Sequence, residues 1–231
     1  MTPATETERV LRVVLARVDF AALGDLYCDY GGDEFWADRT EPLIELGLRW
    51  AAAVVRRVPA AGTSFYLGAG IAELPALIAE HLQLGRQVIP VSQRAEECEL
   101  LNAALDPVLP AIRFRVGNGA IVAGEATFDH LSCVSVLSDP ETFPTASAVS
   151  YGRVHAAQVV PADLGIEQAG IRALVAAVTA PLMRPAWITT TVEEVPWFLE
   201  WAGRCGATVQ AEEEMVETAI VGDPIGFLRI A

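Results

Sequence analysis

The sequence predicts an α/β three-layer sandwich: a mostly parallel sheet with helices on both faces and an antiparallel hairpin at its C-terminal end. Three observations carry that expectation. From residue 63 onward, short apolar runs alternate with helical stretches, the pattern of strands joined by crossover helices. The first such run, SFYLGAG, ends in a glycine turn that leads directly into a helix. The last two apolar runs have a Gly222-Asp223-Pro224 turn between them instead of a helix, so one closing strand runs antiparallel to the rest.

Each element has its own local reason. Residues 5–24 are expected to be helical, because Thr5 and Glu8 make a capping-box pattern and Val10, Leu11, Val14, Leu15 and Val18 recur at helical spacing. LYCDYGGDEFWADRTEP follows, aromatic and acidic with a Gly-Gly break, and reads as a loop or short helix. A second helix covers residues 42–58 and ends at PAAG. SFYLGAG is a strand, and ELPALIAEHLQLG is a helix stopped by Gly85. RQVIPV is a strand, QRAEECELLNAAL a helix, IRFRV a third strand and HLSCVSVL a fourth. A longer irregular stretch, SDPETFPTASAVSYGRVHAAQVVPADL, precedes a helix over residues 165–180. AWITTTV is a fifth strand with a helix after it through Trp201 to Arg204, and Trp187, Trp197 and Trp201 are expected to pack that strand against its helix. ATVQAEEEMVETAIV and IGFLRIA make the closing pair, in which Glu212-Glu213-Glu214 reads as a solvated edge that discourages edge pairing. Residues 1–60 form an N-terminal helical extension, with the aromatic-acidic segment a candidate lid, and residues 61–231 the α/β domain; together they make one structural unit.

Composition narrows the function. The chain has 231 residues, of which 52% are hydrophobic, enough for one substantial core and too apolar for disorder. No apolar run reaches the length of a membrane span and the polar N-terminus is unlike a secretory signal, so a cytoplasmic location is expected. The formal net charge is −14 and every basic residue is arginine, dispersed except for the pair Arg56–Arg57. Such a surface is unsuited to nucleic acid or an anionic membrane, leaving small molecules or proteins as partners. Without lysine the chain has neither a P-loop nor a Schiff-base nucleophile. Cys28, Cys98, Cys133 and Cys205 form no C-x-x-C pair, and His81, His130 and His155 are scattered, so no metal site is expected. The cysteines read as small buried hydrophobes. A mean hydropathy of +0.35 is compatible with a homo-oligomer interface.

The segment Leu67-Gly68-Ala69-Gly70-Ile71-Ala72-Glu73 carries the functional argument. In open parallel sheets ligands bind beyond the carboxyl ends of strands, where the strand order reverses. Two glycines after the first strand let the chain turn sharply and approach a ligand closely. A dinucleotide fingerprint needs a third glycine at position 73, where Glu73 would instead repel a pyrophosphate.

With that loop, the order of elements resembles the class I S-adenosylmethionine-dependent methyltransferases, whose seven-stranded sheet ends in an antiparallel hairpin and whose glycine loop follows the first strand. Gln87 to Ser92 is similar to the second strand of that family, Ile112 to Asn118 to its third, and Phe128-Asp129-His130 to the entry of its fourth. The resemblance implies a cofactor site built from Tyr66, Gly68, Ala69, Gly70, Ser92, Gln93 and Asn118. The motif is degenerate. Tyr66 stands where the family has an acid near the methionine part of the cofactor, Ser92 where an acid meets the ribose, Asn118 where an aspartate meets adenine, and Ala72 replaces a third glycine. Asn118 keeps a carbonyl acceptor, whereas Ser92 or Gln93 offers only neutral hydrogen bonds, weaker than a carboxylate's.

Methyl transfer needs in-line positioning and, for a protic acceptor, a base. Tyr151 and His155, in the long segment after the fourth strand, are the candidate catalytic residues, while Asp129 and His130, at the amino end of that strand, are expected to be structural. Three readings remain open: a methyltransferase acting on a small molecule, a non-catalytic protein of the same fold serving as a binding or assembly module, and another nucleotide- or nucleoside-binding enzyme on a similar sheet.

Overall fold

The computed structural model describes residues 2–27 and 32–231. Cys28, Asp29, Tyr30 and Gly31 of the aromatic-acidic segment lie outside the described residues. Four helices come first: α1 Pro3–Leu15, α2 Phe20–Asp25, α3 Gly32–Ala37 and α4 Thr40–Val55. The expected first helix is thus two, broken where Asp19 caps α2 by accepting the Ala22 N–H at 3.0 Å. The N-cap of α1 is Thr2, not Thr5: its hydroxyl accepts the Thr5 N–H at 3.3 Å.

The sheet has seven strands: β1 Thr63–Leu67, β2 Gln87–Ser92, β3 Arg115–Val116, β4 Phe128–Cys133, β5 Leu182–Thr191, β6 Val209–Ala211 and β7 Ile225–Ile230. Their spatial order is β3-β2-β1-β4-β5-β7-β6. β1 runs parallel to β2 and β4, β4 to β5, and β7 lies antiparallel between β5 and β6. The closing hairpin is present, but β6 and β7 are joined across residues 212–224, not by the short Gly222-Asp223-Pro224 turn alone; a bridge between Val216 and Ile225 supports that excursion.

The remaining helices are α5 Leu74–Leu84, α6 Ala95–Leu105, α7 Gly119–Ala123, α8 Pro144–Ser150, α9 Pro161–Thr179 and α10 Val195–Cys205. One face of the sheet buries Val10, Leu11, Trp50, Leu77 and Leu101 from α1, α4, α5 and α6 in a single core. The opposite core holds Val122, Ala146, Ile171, Val175 and Phe198 from α7 to α10. The N-terminal helices are therefore part of one layer with α5 and α6. Among the described residues, no helix is long and apolar enough to cross a membrane.

Three sequence expectations fail here. The expected strand IRFRV shortens to Arg115–Val116 because the Asn102 carboxamide takes both backbone groups of Phe114, donating to its carbonyl at 2.9 Å and accepting its N–H at 2.8 Å. Trp187 packs against the core beneath α5, on the opposite face from Trp197 and Trp201. The acidic run is not simply solvated either. Glu212 and Glu214 bind the Arg56–Arg57 pair at the end of α4, with Glu214 at 2.6 Å from Arg56, while Arg57 lies 3.9 Å over the Phe227 ring of β7.

Candidate functional site

A cavity of about 640 Å³ opens beyond the carboxyl ends of β1, β2 and β4. The strand order reverses between β1 and β4, which is where an open α/β sheet accommodates ligands. Gly68 and Gly70 line it, as do Ser92, Gln93 and Asn118 at the ends of β2 and β3, and Tyr151 on its far wall.

The loop after β1 is shaped by its glycines and two carboxylates. Gly68 has φ +68°, and a Cβ there would stand 2.5 Å from Val136 Cγ2, so both backbone and space demand glycine. Ala69 donates its N–H to the Val91 carbonyl at 3.0 Å, tying the loop to β2. Glu73 then folds back on the loop and accepts the Gly70 N–H at 2.8 Å. Glu97 reaches over from α6 to accept the Ile71 N–H at 3.2 Å and the Tyr27 hydroxyl at 2.7 Å. Glu73, Glu97 and Tyr27 all line the cavity. Burial raises the Glu73 carboxyl to about 8, against the Gly70 hydrogen bond and with help from neighbouring Glu97. Burial likewise raises Glu97, opposed by the Tyr27 hydroxyl and the Ile71 N–H.

Three of the residues taken from the family motif fare differently from the rest. Tyr66 is buried on the α5 side of β1 and gives its hydroxyl to Glu80, so it does not reach the cavity. Ala69 is also fully buried, outside the cavity wall. Asn118 lines the cavity, but its side-chain oxygen caps α7 by accepting the Ala120 and Ile121 N–H groups at 3.0 and 3.4 Å. The carbonyl expected to meet adenine is occupied, and the amide N–H₂ is what Asn118 has left to offer. Ser92 accepts the Arg94 N–H at 3.2 Å.

On the wall formed after β4, Tyr151 donates to Asp223, which comes from the segment before β7. The same hydroxyl lies 3.3 Å from Ser138 Oγ. Behind Ser138, buried Glu194 accepts the N–H groups of Leu137 and Ser138 at 2.6 and 3.2 Å and the Thr190 hydroxyl at 2.9 Å. Burial raises Glu194 to about 7 despite these donors. Tyr151 is pushed up to about 12, chiefly by burial and then by Asp223. His155 stands outside the cavity: it is exposed, and its Nδ1 accepts the Ala157 N–H at 3.2 Å to cap a short 3₁₀ turn.

Asp129 and His130 belong to a sealed network on the other side of β1. Fully buried Glu80 of α5 binds Ser64, Tyr66, Arg86 and His130. Arg86 in turn donates to the carbonyls of Pro59, Ala61 and Thr63 and pairs with Asp129, and His130 Nε2 lies 2.9 Å from the Thr189 hydroxyl. Burial alone would raise the Glu80 carboxyl, but His130, Ser64 and Tyr66 overcome it and hold it below the ordinary carboxylate range. None of the network's charged side chains lines the cavity.

Sequence reasoning found the glycine loop, the strand ends and, through the candidate lid segment, Tyr27, and missed Glu97, Ser147 and Asp223. These are brought to the cavity by contacts across the fold, and no local spacing announces them.

Against known proteins, no family model matches the chain and no curated protein matches it. Its fold does have counterparts. TrmN from Thermus thermophilus superposes with a TM-score of 0.51 at 16% identity, over 80% of this chain and 49% of that one. An S-adenosylmethionine-dependent O-methyltransferase from Thermotoga maritima gives 0.50 at 10% identity, over 78% of this chain and 64% of its own. The chain thus spans about half the length of TrmN. Seven strands in this order, with an antiparallel β7 and helices on both faces, make the α/β fold of the class I methyltransferases.

Proposed function

We propose that the chain is an S-adenosylmethionine-dependent methyltransferase acting on a small molecule. The observation that carries this reading is the cavity at the strand-order reversal, floored by the left-handed Gly68 and flanked by Glu73 and Glu97. The polar lining suits a cationic adenosyl ligand. The two buried carboxyl groups beside the loop that lacks an acid at position 66 gain their charge where a bound sulfonium offsets burial. Ser92 and Gln93 face the ribose, and the Asn118 amide meets a ring nitrogen of adenine. Bound there, S-adenosylmethionine supplies the electrophilic methyl group. The chain's part is to orient it, exclude water and present the acceptor from the Tyr151 wall, where alignment lowers the barrier more than any single group. The strongly negative charge favours a small acceptor over nucleic acid.

Thermal unfolding with S-adenosylmethionine and S-adenosylhomocysteine tests the reading. Ligand at 100 times its dissociation constant stabilises the fold by about 2.7 kcal/mol. A flat response at millimolar ligand sinks it and favours the non-catalytic binding module. Stabilisation by a nucleoside phosphate alone favours a different nucleotide enzyme.

A further inference from the structure

Ser147 lines the same cavity from α8, one helical turn before Tyr151, whose N–H it accepts through its carbonyl at 3.0 Å. The residue is 1% exposed, and among the described residues its hydroxyl has no hydrogen-bond partner. A helical serine ordinarily bonds back to a carbonyl of the preceding turn, and a buried hydroxyl left alone costs about 1–3 kcal/mol. The group is therefore short of a partner on the wall of a ligand-sized space. Nearby, Tyr151 is the sole side chain among the described residues that meets the Asp223 carboxylate. Ser138 completes the wall, with buried Glu194 behind it.

Resting on the methyltransferase reading, we propose that Ser138, Ser147, Tyr151 and Asp223 form the subsite of the methyl acceptor, and that this acceptor is a small molecule with a protonated amine or hydroxyl head and an apolar body. Such a head donates to Asp223 and gives the Ser147 hydroxyl its missing partner. The Asp223 carboxylate takes the head's proton and so frees its lone pair; the N–C or O–C bond forms as the methyl–sulfur bond breaks and S-adenosylhomocysteine leaves. Among the described residues the charge around the subsite disfavours an anionic head. Arg94 is paired with Glu141 at 3.3 Å, and Arg153 lies 5.4 Å over the Tyr151 ring. Against that one unpaired cation stand Asp139 and Asp223 on the wall and Glu194 behind it. The body rests on Leu174, Ile220 and Val221, which line the same cavity.

Three matched probes separate the alternatives: 2-phenylethylamine, 2-phenylethanol and 3-phenylpropionate, each titrated by ligand-observed NMR into the full chain with and without saturating S-adenosylhomocysteine. The amine and the alcohol are expected to bind and the carboxylate to bind at least tenfold more weakly. Asp223→Asn should weaken the amine about tenfold and Ser147→Ala weaken both favoured probes, while affinity for S-adenosylhomocysteine stays within twofold. Equal binding of the carboxylate, no binding of any probe, or amine binding indifferent to Asp223→Asn overturns the proposal. Asp223-dependent amine binding in a protein that ignores S-adenosylhomocysteine keeps the subsite and removes the cofactor reading. The reverse pattern removes the subsite alone.

Discussion

Two groups of buried carboxylates lie on either side of one strand, and they are treated in opposite ways. Beneath α5, Glu80 is met by two hydroxyls, an imidazole and a guanidinium. Arg86 places every one of its N–H directions on a carbonyl, hydroxyl or carboxylate. That network is complete without any ligand. At the carboxyl end of β1, Glu73 and Glu97 are equally removed from bulk water yet bound by one or two donors each, and burial wins: both are raised. A satisfied buried charge is architecture, whereas an under-satisfied one beside a cavity is a place for a partner.

The comparison can be broken from either side. Arg86→Met should cost the most, about 3–5 kcal/mol in urea unfolding, because it strands Glu80 and Asp129 without their cation; a loss under about 1 kcal/mol would mean the network is less sealed than its contacts. Glu73→Gln tests the rim through pH. With its carboxyl raised from 4.5 to about 8, the fold keeps a proton that the unfolded chain has released, so wild-type stability falls as pH rises through that window. The variant lacks this slope and should exceed wild type at pH 8 by an amount on the order of 2–4 kcal/mol, at about 1.4 kcal/mol per unit, with the gap closing near pH 5. Parallel stability profiles of the two proteins would place Glu73 with the satisfied carboxylates instead.

Smaller effects sharpen the contrast. Gly68→Val forces a branched side chain into the left-handed region, about 1–2 kcal/mol, and drives it into Val136. Its stability loss should be less than that of Arg86→Met, while any thermal shift with S-adenosylhomocysteine disappears; a variant that still binds normally puts the ligand elsewhere. Glu214→Ala removes an exposed ion pair to Arg56 and one to the largely buried Arg57, which keeps Glu212, and should change stability by about 1 kcal/mol or less.

Much of this was legible in the sequence, and the failures have physical causes. β1, β2, β4, β5 and β7 are apolar runs bounded by turn residues, so their local pattern and their buried setting agree. IRFRV alternates as a strand should, with Ile112 and Phe114 inward, but a side chain twelve positions earlier in sequence, Asn102, occupies the Phe114 backbone that the ladder needed. At the site, Gly68, Gly70, Ser92, Gln93, Asn118 and Tyr151 follow from where strands end. Tyr66 misled because a central parallel strand is covered on both faces, and its side chain points toward α5 to meet Glu80 rather than outward to the rim. His155 is expected at the site from its place in the long segment after the fourth strand, but its ring is spent on holding a turn. Glu97 and Asp223 carry no local signal. Their roles depend on which segments the sheet brings side by side.

The contacts between Arg56–Arg57 and the acidic run reach further than their modest strength suggests. They moor residues 212–214 to the end of α4, and the same excursion carries Ile220, Val221 and Asp223 to the far side of the cavity. One wall of the pocket is thereby leashed to the helices at the opposite end of the chain. Trimming those helices away would slacken a surface more than 150 positions downstream.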